Sequence, residues 1–293
     1  MNKEFEMKNQ NLPFVATILL YLTELCLYLA GFISGTFLVK FLLFMGVIFI
    51  IFLFIIRKTT ISKRAFVYST ILSLLLLIYE LPLTLFGEND YLVTRYSEPE
   101  ELIKGSSIYL LSVQIDHISN VSNEQEIRAM YNDNQRVYEI IPGTNFKFYK
   151  DKNLSIFEFI GLYKSEVEKS FENVTTYLKT SSYSIDEFFT RDENIGSSAG
   201  LALVLSSNID QGKFQNNIPI AVTGAISKTG EVKKVGGIKE KIQIANEDEF
   251  THMIIPIGNL TEANEVKERL NLTIEIIGVR DVDEAIKIIR GLN

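Results

Sequence analysis

The sequence predicts an α/β domain over residues 91–293, preceded by an all-α segment of three transmembrane helices within residues 1–90. Three observations carry that reading. Apolar side chains make up 47% of the 293 residues but crowd into the first third. Beyond Gly196, segments with helical and strand periodicity alternate, the pattern of α/β layers. The one cysteine, Cys26, lies in the apolar third, so the rest of the chain has neither a disulfide nor a thiolate metal site.

From Leu12 to Ile56 and from Phe66 to Phe86 the chain is almost continuously apolar. A bilayer core of about 30 Å takes about 20 apolar residues per helix, which divides these stretches into spans near 13–33, 37–56 and 66–86. Lys40 is close enough to a span end to snorkel. Glu24 and Glu80 fall inside spans and are expected to face protein or an interface. The loop "RKTTISKRA" holds Arg57, Lys58, Lys63 and Arg64, and by the positive-inside rule it is cytoplasmic. The N-terminus is then cytoplasmic and everything after Gly87 extracytoplasmic, in a multi-pass cell-membrane protein.

After a polar linker, "SSIYLLSVQI" (106–115) reads as a buried strand and residues 119–134 as a helix–loop region. Residues 155–178 have helical spacing, with Phe159, Tyr163, Val167 and Phe171 four apart, the pattern of a packed face. Then come a helix in "SAGLALVLSS", a strand "IPIAVTGAI" (218–226) and a turn at Gly230 into a second strand. A helix "IKEKIQIANE", a strand "HMIIPI", a helix "TEANEVKERL", a strand "LTIEIIGV" and a closing helix "DVDEAIKIIRGL" complete the domain.

Several function classes drop out. His117 and His252 stand far apart without metal-ligand spacing, so no metal is expected. A net charge of −7 argues against nucleic acid, which wants a basic face. No G-x-x-x-x-G-K-[ST] loop occurs, so any activity is expected to need neither ATP nor another cofactor.

The chemistry centres on "NIGSSAG" (194–200), where Ser197 and Ser198 lie between glycines and run into an apolar helix. The G-x-S-x-G spacing around Ser198 resembles a nucleophile elbow, but the elbow needs an apolar strand before it and a downstream histidine. Here "FFTRDENIG" precedes it, and only His252 follows. The turn still leaves backbone uncovered at a helix N-terminus, where an oxyanion can be held. The alternative is that Ser197 or Ser198 merely caps the helix. In "VGGIKEKIQIA" (235–245), Ile238, Ile242 and Ala245 form a helical stripe that includes Lys241, with Lys239 and Glu240 on the other side. A buried lysine has a lowered pKa and accepts a proton near neutrality. The plainer reading is a lysine snorkelling at a core edge.

The run from Ile195 to Pro256 resembles the proteolytic domain of the Lon protease family. "GSSAG" is similar to that family's G-P-S-A-G, "IAVTGAISKTGEV" to its strand–turn–strand, "VGGIKEK" to its I-G-G-[LI]-K-E-K and "HMIIP" to the strand that follows. The resemblance implies a Lon-type proteolytic fold, Ser198 as nucleophile, Lys241 as general base and Thr223 as hydrogen-bond partner of the base. It also implies oxyanion binding around Gly196 and the N–H groups of Ser198 and Ala199. Ser197 replaces the usual proline and Ala225 a frequent glutamate. Ile195 stands where ATP-dependent members have aspartate, which places the chain nearer the membrane-anchored, ATPase-lacking relatives. The segment between the helix ending near Thr180 and Gly196 is too short for the PDZ module those relatives often carry.

The expected protein is a membrane-anchored, ATP-independent serine endopeptidase acting on unfolded or flexible protein and peptide segments, with homo-oligomers as the family allows. The alternative is a catalytically silent Lon-fold protein serving as a membrane scaffold or sensor.

Overall fold

The computed structural model describes residues 12–56, 63–87, 89–132, 135–180, 182–191 and 196–293. Tertiary contacts divide the chain into two units, one of residues 1–92, 117–130 and 140–160, the other of residues 93–116, 131–139 and 161–293.

The first unit contains three helices long and apolar enough to cross a membrane: α1 (Leu12–Leu29), α2 (Gly35–Ile55) and α3 (Arg64–Glu80), which a 3-10 turn extends through Leu85. Ser34 caps α2 by accepting from the Phe37 N–H. Phe44, Phe54 and Ile78 are each more than half exposed, as lipid-facing residues would be. Most of the basic loop, residues 57–62, lies outside the described residues. Glu80 does face protein and is fully buried, whereas Glu24 keeps one buried carboxylate oxygen without a hydrogen bond among the described residues. The unit also holds α4 (Glu124–Met130) and α5 (Asn145–Phe159). Lys152 of α5 places its ammonium 2.6 Å from Glu80 Oε2, and neither side chain is exposed. The Tyr21 hydroxyl donates to the other Glu80 oxygen at 2.7 Å. A charge buried in α3 is therefore neutralised by a partner 72 positions later.

Expectation and structure part over residues 155–178. The single helix predicted there is two, because α5 ends at Phe159 and α6 (Glu166–Leu178) starts afresh. Ser165 and Glu168 form a reciprocal capping box at the new start. Phe159 is consequently 91% exposed, and Tyr163 lies between the helices.

The second unit is built on a five-stranded sheet. The strands of the chain are β1 (Tyr91–Tyr96), β2 (Glu100–Glu101), β3 (Ile108–Leu110), β4 (Val113–Ile118), β5 (Val137–Pro142), β6 (Ile220–Val222), β7 (Ala225–Ile226), β8 (Val232–Lys233), β9 (His252–Pro256) and β10 (Glu275–Val279). Sheet order is β10-β9-β6-β3-β2, parallel except for β2. Helix α7 (Tyr183–Phe189) precedes the serine turn, and α8 (Gly200–Asp210), α9 (Ile238–Glu247), α10 (Leu260–Leu270) and α11 (Val282–Leu292) cover the sheet. Alternate strand residues point to opposite faces. Ile220, Val222 and Ile254 pack with α6, α8 and α11, while Ala221, Met253 and Ile255 pack with α9 and α10. Both faces are covered, which is why these strands are short continuous apolar runs.

Two predicted strands are each broken in two. Residues 106–115 split into β3 and β4 because the chain leaves the main sheet at Leu111–Ser112, and β4 pairs instead in a sheet of order β4-β1-β5. Residues 218–226 split into β6 and β7 at Thr223–Gly224, and that break is a working part of the site described next.

Candidate active site

The ladder breaks here because the Gly224 backbone is used to hold the serine turn. Thr223 still donates its N–H to Ile254 O at 3.1 Å, but the Gly224 N–H donates to Ser198 O at 2.8 Å and Gly224 O accepts from the Leu201 N–H at 2.8 Å. The turn Gly196–Ala199 is thereby clamped from two sides to the end of β6. Gly200 sits in the clamp, where a Cβ would meet Ile226 Cγ1 and the Ile226 backbone N at 3.2 Å. Glycine is needed for that approach.

Neither serine caps α8. The cap position is Ala199, without a side-chain hydrogen bond, so Ser197 and Ser198 keep their hydroxyls half-buried in the wall of a cavity. Ala199 is buried, Gly196 exposed, and the Ser198 and Ala199 N–H groups donate to no acceptor among the described residues. That leaves the donors at the N-terminus of α8 available for an oxyanion. Ile195, together with 192–194, lies outside the described residues.

Lys241 enters the same cavity from α9. Gly237 starts that helix in the left-handed region, φ +69°, which favours glycine and turns the chain out of the preceding β segment. Lys241 is 3% exposed and its Nζ donates to Thr223 Oγ1 at 3.1 Å; the Thr223 hydroxyl in turn lies 3.5 Å from Ser198 O. Burial lowers the Lys241 pKa from 10.5 to about 8, against the opposing pull of the Glu240 carboxylate. An amine with that pKa is substantially neutral just above physiological pH.

The cavity, about 740 Å³, is lined by Gly196, Ser197, Ser198, Ala199 and Lys241 together with residues of the β1–β4 region. Its walls are fixed by ion pairs that the sequence did not reveal. Arg191 donates to both Glu100 oxygens at 2.8 Å and to Glu187, while Arg95 pairs with Asp116, which also accepts from the Tyr131 hydroxyl at 2.8 Å. Arg191–Glu187 is a local i,i+4 pair, but Arg191–Glu100 and Arg95–Asp116 join positions 91 and 21 apart, and no local pattern announces them. Glu240 was expected opposite the buried stripe and is instead 5% exposed and lines the cavity. Helix α9 is covered on most of its circumference, Ile244 included, so the stripe alone understates its buried face. Among the described lining residues, Glu98, Glu139 and Glu240 make no hydrogen bond, and only Lys239 approaches Glu240, at 3.8 Å. His252 is not part of the lining; its Nδ1 is 2.8 Å from Thr251 Oγ1 and its Nε2 3.6 Å from Glu275.

Residues 174–290 match the family described as Lon protease (S16) C-terminal proteolytic domain. The chain is 33% identical to a Lon protease of Clostridium beijerinckii over 100 residues, 33% of this chain and 12% of that protein. It is 30% identical to a Lon protease of Rickettsia felis over 92 residues, 31% of this chain and 12% of that protein. A Lon protease of Azospirillum brasilense is 33% identical over 92 residues, 31% of this chain and 11% of that protein. The chain thus spans only about an eighth of the length of these relatives. What it shares with them is one stretch: residues 174–290 are similar to the proteolytic domain of the Lon protease family.

Proposed function

We propose that the protein is a membrane-anchored serine endopeptidase that needs no ATP and works through Ser198 and Lys241. The observation that carries this reading is the buried amine of Lys241, bonded to Thr223, in the cavity that holds Ser198. Neutral Lys241 takes the Ser198 proton as Ser198 Oγ attacks a peptide carbonyl. The protonated amine then passes that proton to the leaving amine, and an acyl-enzyme remains on Ser198. Water, deprotonated by the same lysine, attacks the ester and returns the free serine. Thr223 keeps the amine oriented through both halves. The N–H groups of Ser198 and Ala199, with Gly196 beside them, hold the oxyanion of each tetrahedral intermediate. The three apolar helices support a cell-membrane anchor, and the basic loop between the second and third supports a cytoplasmic N-terminus with the peptidase outside. Substrates are unfolded chains, peptides or flexible loops that enter the cleft without an unfoldase.

The test is cleavage of unfolded casein by the full-length protein in lipid nanodiscs without nucleotide, with Ser198→Ala and Lys241→Ala beside it. Cleavage by the native protein and loss in both variants is expected. Cleavage that survives in both variants removes the proposed chemistry. A wild-type protein that never cuts, on casein or short peptides, leaves the scaffold reading in its place.

A further inference from the structure

Helix α5 carries a surface that the peptidase reading does not use. Its polar residues fasten it to the ends of two apolar helices. The Asn145 amide donates to Tyr28 O in the last turn of α1 at 2.7 Å and to Ile33 O in the loop that follows it at 2.9 Å. Lys152 is paired with Glu80 at the end of α3, and the Tyr79 hydroxyl donates to Asn153 Oδ1 at 2.7 Å. At about 100° per residue Asn145, Tyr149 and Lys152 share one face of α5.

Beside that face runs a second stripe: Phe146, Lys150, Asn153 and Phe157 recur at i, i+4, i+7 and i+11. Asn153 is held by Tyr79, so the stripe follows the helix ends. Phe146 is 66% and Phe157 40% exposed, and just past them Phe159 and Ile160 are 91% and 54% exposed. Lys147 and Lys150 are exposed as well. The turn that ends α3 lies against α5 and also bares apolar side chains, Leu81 and Leu85, 52% and 77% exposed. Phe146 and Phe157 along α5, with Phe159 and Ile160 at its C-terminal end, are large apolar side chains left bare, and such a patch needs a cover. Their place on a helix fastened to the ends of bilayer-length helices, with two lysines alongside for lipid phosphates, selects the cover.

We propose that α5 is an interfacial helix, with Phe146, Phe157, Phe159 and Ile160 seated at the headgroup–acyl boundary of a phospholipid bilayer and Lys147 and Lys150 among its headgroups. The proposal rests on the anchor reading of α1–α3 and is independent of the Ser198–Lys241 chemistry. Its occupant is lipid, not a second copy of the chain.

The chain contains no tryptophan, so a single substitution supplies a clean fluorophore. Full-length Phe159→Trp, Phe157→Trp and, as a reference in the middle of α2, Phe44→Trp are reconstituted into phosphatidylcholine vesicles brominated either near the headgroup or deep in the acyl chains. Phe159→Trp and Phe157→Trp are expected to lose most of their emission to the shallow bromines and less to the deep ones, with the order reversed for Phe44→Trp. If Phe44→Trp is quenched while both α5 tryptophans are not, the inference is overturned and the anchor stands. If Phe44→Trp is unquenched, the anchor reading falls and takes the inference with it. A blue shift of the α5 tryptophans that grows with protein density, without quenching, means a protein cover and also overturns it.

Discussion

On the proposed mechanism, burial of Lys241 makes the rate of cleavage depend on pH in a calculable way. Desolvation brings its pKa from 10.5 to about 8, so at pH 7 about one amine in ten is neutral, against about one in 3,000 for an ordinary lysine. That is about a 300-fold enrichment of the proton acceptor, about 3 kcal/mol at 1.36 kcal/mol per pH unit. The assay is kcat/KM for an internally quenched peptide, from pH 6 to 10, with the full-length protein in nanodiscs. The rate should climb about tenfold per pH unit below the Lys241 pKa and level off above about 8. Thr223→Val should lower the plateau by removing the hydroxyl that accepts from Nζ at 3.1 Å, while the climb persists. A profile that levels off near 6.5, the range of histidine, or one that is flat between pH 7 and 9, refutes the assignment of Lys241 as base.

The same burial costs stability. Because the folded pKa of Lys241 lies below the unfolded one, the penalty is fully present below pH 8 and fades as pH rises toward 10.5. Lys241→Met should therefore abolish cleavage yet raise the unfolding free energy at pH 7, by up to about 3 kcal/mol, with the gain shrinking in denaturant titrations at pH 10. Gly200→Val should cost about 1–3 kcal/mol by overpacking against Ile226, and should depress activity further than its loss of folded protein explains. Lys152→Met leaves Glu80 buried without its cation and should destabilise by about 3–5 kcal/mol; a double variant with Glu80→Leu should recover most of the thermal midpoint. The carboxylates Glu98, Glu139 and Glu240, which accept no side-chain hydrogen bond among the described residues of the cleft, predict that lysine-rich peptides are cut faster than glutamate-rich ones of equal length, and Glu240→Gln should narrow that ratio mainly through KM.

The legibility of this chain varies with the range of the interaction. Helix α9 is predicted over 238–247 and found over Ile238–Glu247, because an apolar stripe, a preceding glycine pair and ten residues of strong pattern are all local. The apolar helices are equally plain, since bilayer thickness fixes their length. The break of 218–226 at Thr223–Gly224 was not legible, since its cause is hydrogen bonding to Ser198 and Leu201 from another part of the chain. The second helix start at Ser165 was legible in principle, as Ser-x-x-Glu, but the regular spacing of Phe159, Tyr163, Val167 and Phe171 concealed it.

By itself, then, the sequence determined the residue types for the chemistry: a serine in a glycine turn, a lysine on an apolar stripe and a threonine between them in the chain. Periodicity and spacing pick out the serine turn and the lysine stripe, because they report local geometry, and the resemblance to Lon proteolytic domains adds the threonine. The tertiary structure brings Lys241 to Thr223, as the resemblance implied, and it alone decided that Ala199 and not a serine takes the cap position, that Glu240 turns into the cleft and that Glu80 finds its cation in Lys152. Each of these depends on which distant segments are packed together, and the free energy of burying or pairing a charge is set by those neighbours and not by the residues beside it in the chain.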